Sequence, residues 1–393
     1  MLDTSDVAVI GAGARGSAIA YYLAREGVNV ALVDRGFLAT GTTGATMGLI
    51  NVSGKPPAEY TALSLASARL YPDLAEALGV DLEFESGRSI LEVILDPADL
   101  PAAHEYAKRQ SRVPGVDVRV LDTYEARQMA PELSPDIIGA VYCPQDGHLN
   151  PFRLAWGFIT AARRLGARFY PHTRVTGIRT TQSRVTAVVT TAGEISTRTV
   201  VNAAGVEVPS IGEMVGLSIP VVASRGQIVT TEVLPPLFPG PIDSMRQTRT
   251  GSVLIGTTEE FVGYDTGVTT RALRQNVRRA VRIIPRLRTA RAIRCWAGLR
   301  PWPVDGLPIM GGVSGLDGYV IATGHSGITL SAITGQVIAD AILRRPTVAL
   351  ESFMLDRFSE GRFHFPVEGF RAFRRRYGST ILARAVSPAG GDA

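Results

Sequence analysis

Cysteine, lysine and histidine are all scarce in this chain. Only two of its 393 residues are cysteine, Cys143 and Cys295, which excludes a disulfide framework and a cysteine-rich zinc cluster and favours a reducing compartment. Lysine occurs only at Lys55 and Lys108, so the net charge of +5 comes almost wholly from arginine. The five histidines show no metal-ligand spacing, and we therefore expect no metal site.

Long apolar runs are also missing. No stretch approaches the roughly 18 apolar residues that a membrane-spanning helix needs. The first apolar segment, residues 7–10, is too short for the core of a signal peptide. With 45% hydrophobic and 20% charged residues, the composition is that of an ordinary globular protein. We expect a cytoplasmic chain without a transmembrane segment, and the absence of any nucleic-acid motif argues against a nucleic-acid partner.

The N-terminal segment has the pattern of a nucleotide-binding unit. Residues 6–17 read DVAVIGAGARGS, in which Gly11, Gly13 and Gly16 follow a short apolar strand and begin a helix. Such glycines allow a tight turn, close approach of a pyrophosphate and close packing of the helix. Asp34 ends the next apolar strand, where a carboxylate can accept hydrogen bonds from ribose hydroxyls. This pattern predicts dinucleotide binding and leaves both NAD and FAD possible.

The remaining chain alternates between two kinds of pattern. Strand, glycine turn and helix occur in the first and last thirds, and a helix followed by strands that return to the first domain lies in the middle. Alternating strands broken by Pro and Gly lie between these segments. We predict an α/β, Rossmann-type dinucleotide-binding domain that is discontinuous, plus an antiparallel β-sheet α+β substrate domain. The expected ranges are 1–80, 140–215 and 295–345 for the first domain, 81–139 and 216–294 for the second, and 346–393 for a C-terminal extension.

The C-terminal extension carries an arginine cluster. Its members lie in the segment FRAFRRRYG and are Arg371, Arg374, Arg375 and Arg376. A solvated surface is the ordinary interpretation of such a cluster, and the aromatic and arginine-rich composition also suits a subunit contact.

Five further segments carry a resemblance to a known family. They read ATGTTGATMGLI (39–50), DGHLNPFRL (146–154), VVNAAG (200–205), WAGLRPWPVDGLPIMG (296–311) and GHSGITLSAITG (324–335). In this order they resemble the flavin oxidoreductases of the D-amino-acid oxidase, glycine oxidase and sarcosine oxidase superfamily. The resemblance spans nearly the whole chain and implies that the nucleotide domain binds FAD.

The resemblance also assigns the residues that would hold FAD. Those for the ADP half are Gly11, Gly13, Ala14, Gly16, Asp34, Arg35 and, through its backbone, Val175. Those for the pyrophosphate and the flavin are Thr42, Thr43, Met47, Gly48, Ala204, Gly205, Gly298, Gly324, Gly327, Ile328 and Thr329. Sarcosine oxidases tether their flavin through a cysteine near the WAGLRP motif, but the register of Cys295 differs. We therefore expect non-covalent FAD and a buried Cys295.

Arg300 and His325 are the predicted catalytic residues. The resemblance implies that Arg300, in WAGLRP, binds the substrate carboxylate, and a guanidinium can do so through two parallel hydrogen bonds. Alternatively, Arg300 belongs to an ion pair at the surface or between the domains. His325 either lines the edge of the flavin or is a packed turn histidine.

The expected reaction is oxidation of the C–N bond of a D-amino acid, imino acid, N-substituted amino acid or opine. Hydride would pass to flavin N5, and water would hydrolyse the imine. No strong base is required if the amine binds neutral. Candidates for the pocket wall are Thr257, Thr258 and Glu259. Lys55 could activate oxygen, but a lone lysine in a Pro-rich loop is expected to be solvated.

The pattern also resembles the flavoprotein subunits of heteromeric opine, hydroxyproline, proline or glycine dehydrogenases. In these, electrons leave through partner subunits rather than to oxygen. Two alternatives remain at this stage: an electron-transfer subunit without its own substrate site, and a nicotinamide dehydrogenase.

Overall fold

A computed structural model describes residues 2–87 and 90–359 of the chain. In these ranges the strands are β1 (Asp3–Thr4), β2 (Val7–Ile10), β3 (Val30–Val33), β4 (Leu49–Ile50), β5 (Glu85–Ser86), β6 (Leu91–Ile94), β7 (Arg119–Asp122), β8 (Gly139–Tyr142), β9 (Gly147–His148), β10 (Arg168–Tyr170), β11 (Val175–Thr181), β12 (Arg184–Thr190), β13 (Gly193–Ser196), β14 (Thr199–Asn202), β15 (Val221–Val233), β16 (Met245–Gln247), β17 (Ser252–Ile255), β18 (Ala292–Pro303), β19 (Ile309–Val313) and β20 (Leu316–Thr323). The α-helices in the same ranges are α1 (Ala14–Arg25), α2 (Thr42–Ala45), α3 (Ala58–Ala68), α4 (Tyr71–Leu78), α5 (Leu100–Gln110), α6 (Thr123–Met129), α7 (Pro151–Arg164), α8 (Val208–Glu213), α9 (Thr270–Ile283), α10 (Gly327–Ile342) and α11 (Asp356–Ser359).

The largest sheet has the strand of the glycine turn near its centre. Its order is β1-β13-β12-β20-β14-β2-β3-β10, with β11 also beside β12 and β19 also beside β20. Strand β2 runs parallel to β3 and β14, and β14 runs parallel to β20. Because the carboxyl ends of parallel strands meet at one edge of a sheet, the loops after β2, β14 and β20 converge there. This convergence brings together three regions that are distant in sequence.

Helices α7 and α10 both pack against α1 beside this sheet. Close contact between α1 and α10 depends on Gly335, where a Cβ would lie 2.5 Å from the Tyr22 ring and 2.9 Å from the Ala18 carbonyl carbon. Apolar side chains of the three helices, including Leu23, Phe158 and Leu330, share one buried core. Within the described ranges, no helix has both the length and the apolar character needed to cross a bilayer.

The second main sheet is antiparallel, with the order β16-β17-β15-β18. Strand β15 pairs with β18 along nearly its whole length, from Val221 opposite Pro303 to Thr231 opposite Ala292. The domain boundary expected at residue 295 therefore falls inside β18. Consequently Gly298 and Arg300 lie in the antiparallel sheet, whereas the sequence pattern assigns them to the nucleotide domain.

The described start of the C-terminal extension is attached to the nucleotide-binding half. Arg357 is 3% exposed and forms a two-point ion pair with Asp305, whose carboxylate is fully buried: Nε–Oδ2 is 2.7 Å and Nη2–Oδ1 is 3.0 Å. The same guanidinium donates to the backbone oxygens of Leu307, Pro308 and Met354. This pair fixes α11 to the loop between β18 and β19. The arginine cluster at 371–376 lies outside the described residues.

Loss of the Arg357 guanidinium should destabilise the fold markedly. Arg357→Met leaves the Asp305 carboxylate buried without its counter-ion, which costs about 3–5 kcal/mol of unfolding free energy. Arg345→Met is the matched control, because Arg345 pairs with Glu26 at the surface and such pairs contribute about 1 kcal/mol or less. Urea denaturation of both variants measures the difference, and equal denaturation midpoints would contradict this role of Arg357.

Candidate active site

A cavity of about 600 Å³ opens at the edge where the parallel strands end. One wall comes from the turn after β2 and the ends of β3, β14 and β20, and the opposite wall comes from β15, β18 and the segment after β17. The cavity therefore lies between the parallel sheet and the antiparallel sheet.

The glycine turn after β2 is held in a fixed shape by backbone contacts. Gly11 has φ +104°, and a Cβ there would lie 2.5 Å from the Ala203 carbonyl oxygen. The Ala12 N–H donates to Oδ2 of Asp34 at 2.7 Å, and the Ala14 N–H donates to Oγ1 of Thr43 at 3.0 Å. The start of α1 is thus tied to the end of β3 and to α2, and it faces the cavity.

A second helix begins at the same cavity. Gly324 (φ +131°) and Ser326 (φ +58°) turn the chain from β20 into α10. The first hydrogen bond of α10 runs from the Leu330 N–H to the Ser326 carbonyl, so the N–H groups of the preceding residues have no partner within the helix. Two helix N-termini, each with a partial positive charge, therefore face one cavity, which suits an anionic ligand.

Arg15 lies between these two helix starts. It occupies a variable position of the glycine motif, is 7% exposed, and donates to the carbonyl oxygens of Gly324 and His325. Its guanidinium joins the first and last glycine turns of the chain and adds a positive charge to the cavity. The motif gives no signal for this role, because the position tolerates any residue.

Arg300 enters the cavity from the antiparallel sheet. On β18 it lies opposite Ser224, and its guanidinium covers Gly226, where a Cβ would be 2.3–2.6 Å from the guanidinium atoms. Nη1 donates to the Thr258 carbonyl at 3.0 Å, and Nη2 donates to Oγ1 of Thr257. The guanidinium is thus held by neighbouring backbone and hydroxyl groups at a cavity-lining position. This placement does not agree with a surface arginine.

His325, Ser326 and Lys55 form a hydrogen-bonded chain along the cavity. The Lys55 ammonium donates to Oγ of Ser326 at 2.7 Å, and that hydroxyl lies 3.0 Å from Nδ1 of His325. The His325 ring packs on Trp302 at 4.7 Å between centroids. Burial, followed by the charges of Lys55 and Arg300, holds the pKa of His325 well below its usual range. The imidazole is therefore neutral at pH 7.

Lys55 lines the cavity, contrary to the expectation that it is solvated. A Pro-rich loop carries no sign, in the sequence, of the fold that brings Lys55 to Ser326. Burial lowers the pKa of Lys55 to about 8, and the nearby Asp146 and Glu92 carboxylates partly oppose this shift.

Titration of Lys55 should be directly visible, since the chain has only two lysines. With selectively ¹³Cε-labelled lysine in the flavin-loaded chain, one NMR signal should titrate near pH 8 and disappear in Lys55→Arg. Below this pH the ammonium is charged and attracts anions, and the attraction is lost as the pH rises through 8. A carboxylate ligand bound nearby should raise the midpoint, because an anion favours the charged form. A Lys55 midpoint near the ordinary 10.5 would contradict this environment.

Most of the residues predicted to bind the cofactor or act in catalysis line this one cavity. They are Gly11, Gly13, Ala14, Asp34, Arg35, Thr42, Thr43, Met47, Val175, Ala204, Gly205, Gly298, Arg300, Gly324, His325, Gly327, Ile328 and Thr329, joined by the candidate wall residues Thr257, Thr258 and Glu259.

Two predicted glycines are outside the cavity lining. A Cβ on Gly16 would lie 1.8 Å from the Gly11 carbonyl oxygen, so Gly16 allows α1 to pack on the turn. A Cβ on Gly48 would lie 2.2 Å from the Leu149 carbonyl oxygen, so Gly48 allows close contact of two chain segments. Cys295 is exposed, not buried as expected, because it lies in the first four residues of β18, which are all exposed.

Comparison with known proteins gives a consistent set of similarities. A family model described as FAD dependent oxidoreductase matches residues 6–341. Hydrogen cyanide synthase subunit HcnC of Pseudomonas aeruginosa is 34% identical, with 90% of this chain and 96% of that protein covered. A subunit of the opine oxidase of Rhizobium meliloti is 31% identical, with 86% of this chain and 93% of that protein covered. The crystal structure of glycine oxidase from Geobacillus kaustophilus superposes with a TM-score of 0.85 at 29% identity, covering 90% of this chain and 99% of that one.

Proposed function

Because this chain belongs to the family of FAD dependent oxidoreductases, we propose that it oxidises the C–N bond of an amine that carries a carboxylate. The proposed substrate class comprises D-amino acids, imino acids, N-substituted amino acids and opines. Relatives named for glycine and for opines support this class. The observation that carries the proposal is the position of Arg300 in the cavity.

FAD is the cofactor of the family, and the residues of the cavity fit it. The start of α1 would offer N–H donors to the pyrophosphate, and the start of α10 would offer them to the flavin. Each oxygen of the Asp34 carboxylate accepts one backbone N–H, from Ala12 or Gly36, and keeps a lone pair for a ribose hydroxyl. A Cβ on Gly327 would meet no atom within 4 Å, so the cavity has room at the start of α10. When bound, FAD supplies the acceptor for the hydride of the substrate.

Arg300 would fix the orientation of the substrate. A carboxylate bound to the guanidinium through two parallel hydrogen bonds loses its freedom to rotate, so the neighbouring carbon is presented in one direction. The contacts of Arg300 to Thr257 and Thr258 already restrict the guanidinium. We therefore assign the antiparallel sheet as the substrate side of the cavity and the parallel sheet as the cofactor side.

The turn before α10 would provide electrostatic stabilisation. The N–H groups at the start of this helix favour negative charge nearby, and the buried Arg15 adds a full positive charge beneath the same turn. His325 is neutral and therefore acts there as a hydrogen-bonding group, not as a further cation. These three features make the last glycine turn the positive side of the cavity.

Turnover with an artificial electron acceptor tests the proposed function. Dye reduction by the flavin-loaded chain should depend on a carboxylate-bearing amine, and a carbonyl product should form in equal amount when water hydrolyses the imine. A nicotinamide dehydrogenase is distinguished by colour, since it carries no flavin spectrum. Dye reduction without either an imine or a carbonyl product would refute C–N oxidation.

Partner subunits are proposed as the natural electron acceptors. HcnC and the opine oxidase relative are both named as subunits. The isolated chain should then reduce oxygen slowly and an artificial acceptor quickly, and rapid peroxide formation would argue for an oxidase that acts alone. The alternative, an electron-transfer subunit without a substrate site, predicts no dependence of turnover on Arg300.

The cellular location is proposed from the cysteines. Cys143 and Cys295 are both free thiols, and a chain with two unpaired cysteines suits the reducing cytoplasm. Fractionation of the native cells would test this assignment, and recovery in an oxidising compartment would argue against it.

A further inference from the structure

Two adjacent glutamates on the substrate side of the cavity differ sharply in their partners. The Glu260 carboxylate accepts from Nε of Arg225 at 3.0 Å, from Nε2 of Gln227 at 2.7 Å and from Oγ1 of Thr258 at 3.1 Å. In Glu259, by contrast, Oε1 is fully buried and has no hydrogen-bond partner among the described residues. One carboxylate is therefore a structural element, and its neighbour has unused hydrogen-bonding capacity.

The backbone explains why the two side chains have different surroundings. Glu260 exchanges two backbone hydrogen bonds with Arg225, at 2.7 and 3.0 Å, which holds this segment in an extended form beside β15. Consecutive side chains of an extended segment point to opposite sides. Glu260 is thus directed to its partners, while Glu259 lines the cavity that contains Arg300.

The Glu259 carboxylate lines the same cavity as the Arg300 guanidinium. Its Oε1 is buried without a hydrogen bond, which destabilises the carboxylate, and more so when it is charged. Arg300 is near enough to attract the Glu259 carboxylate, yet the guanidinium donates to Thr257 and Thr258. A cation and an anion therefore line one cavity side by side, which is the charge pattern complementary to a zwitterion.

Oxidation of a C–N bond requires a group near the nitrogen that can accept a proton from it. Amines of this class are largely protonated near neutral pH, and an ammonium nitrogen has no lone pair to form the C=N bond. One proton must therefore leave the nitrogen before the hydride leaves the carbon. The sequence pattern indicates no group for this task.

We propose that the carboxylate of Glu259 binds the ammonium group of the substrate and accepts one proton from it, while Arg300 holds the substrate carboxylate. In this step an N–H bond breaks, an O–H bond forms, and the electron pair stays on nitrogen. The ammonium becomes a neutral amine and the carboxylate becomes a carboxylic acid. The inference rests on the proposed function and restricts its substrates to zwitterions with a primary or secondary amine.

The titration behaviour of Glu259 is consistent with this role. Burial raises its pKa to about 7, and the Arg300 charge opposes the rise. A group with a pKa near the working pH both accepts and releases a proton readily. The other titratable or charged groups that line the cavity in the described residues are Arg15, Asp34, Arg35, Lys55, Glu92, Arg174, Glu207, Asp243 and His325.

Binding of two unreactive ligands tests the proposal without turnover. α-Aminoisobutyrate carries an ammonium group and a carboxylate but has no hydrogen on Cα, and isobutyrate lacks the ammonium group. The flavin-loaded wild-type chain should bind α-aminoisobutyrate more tightly, as measured by calorimetry or the flavin absorbance. Glu259→Gln should reduce this preference by about tenfold or more, since the attraction between the carboxylate charge and the ammonium charge is lost. It should also bind isobutyrate at least as tightly as the wild type.

Two further variants make the result decisive. Glu76→Gln on α4 removes one exposed negative charge away from the cavity and should keep the wild-type preference. Glu259→Asp keeps a carboxylate and should restore part of the preference, which separates charge from folding defects. A wild-type chain without preference for α-aminoisobutyrate, or a Glu259→Gln variant that retains it, overturns the proposal.

Anaerobic flavin reduction by amines distinguishes this inference from the proposed function. In the wild type the rate of flavin reduction should rise with pH around 7, because Glu259 loses its proton. In Glu259→Gln this rise of the rate with pH should be absent. If amines reduce the wild-type flavin and the rate in Glu259→Gln still rises with pH around 7, the proposed role of Glu259 is wrong, whereas the proposed function stands. If no amine of the proposed class reduces the wild-type flavin, the proposed function fails, and the ligand preference still decides the role of Glu259.

Discussion

Replacing Arg300 with alanine should reduce kcat/KM for a carboxylate-bearing amine by a factor of about 30 to several thousand. Removing one partner of a buried, hydrogen-bonded charge pair costs about 2–5 kcal/mol. Most of this loss should appear in KM, because the carboxylate is bound before and during the reaction. Arg300→Lys should recover only part of it, since an ammonium cannot form the two parallel hydrogen bonds of a guanidinium.

The control for this experiment lies on the same strand. Arg294 is an exposed residue of β18 that does not line the cavity, so Arg294→Ala should leave the kinetics unchanged. A second control is the substrate itself: an amine without a carboxylate should be oxidised poorly by both the wild type and Arg300→Ala. Unchanged kinetics in Arg300→Ala would mean that the substrate carboxylate is bound elsewhere or that the chain has no substrate site.

Replacing Gly11 with alanine should cause a large loss of FAD affinity. An L-residue at φ +104° is strained by about 1–3 kcal/mol. In addition, the new Cβ would lie 2.5 Å from the Ala203 carbonyl oxygen, a backbone atom that cannot move away alone. The turn must therefore shift and displace the start of α1, and we expect FAD affinity to fall by more than about tenfold, or about 1.4 kcal/mol.

Gly27 provides the matched control for this substitution. It also has a positive φ, +78°, but a Cβ there would meet no atom within 4 Å. Gly27→Ala should lose some stability and keep its flavin. The flavin-to-protein absorbance ratio of the purified variants measures the outcome, and full flavin loading of Gly11→Ala would refute a role of this turn in cofactor binding.

The topology of the nucleotide-binding half could be predicted from local patterns. Strand β2, helix α1 and strand β3 follow directly from apolar runs separated by the glycine turn. The return of a later strand to the same sheet follows from the motif order, and β14 indeed lies between β2 and β20. The boundary near residue 295 could not be placed, because β18 is one continuous strand that begins before the family motif.

The charged groups of the site were harder to predict. Gly16 allows the close helix packing that the glycine motif predicts, whereas the close contact that Gly48 allows has no signal in the sequence. Arg15, Lys55 and Glu259 have no periodic signal, since their positions depend on contacts between loops that are distant in sequence. Only the fold shows that Lys55 reaches Ser326, whereas Glu259 is already a candidate for the pocket wall in the sequence and lines the cavity with Arg300.

Anaerobic mixing of the flavin-loaded chain with a panel of amines tests the central claim most directly. The panel comprises D-amino acids, imino acids, N-methyl amino acids and opines, each paired with an analogue that lacks the carboxylate. We expect the oxidised flavin absorbance to bleach with at least one carboxylate-bearing amine and not with its paired analogue. A flavin that stays oxidised with every amine, or that bleaches equally with and without the carboxylate, would contradict the account.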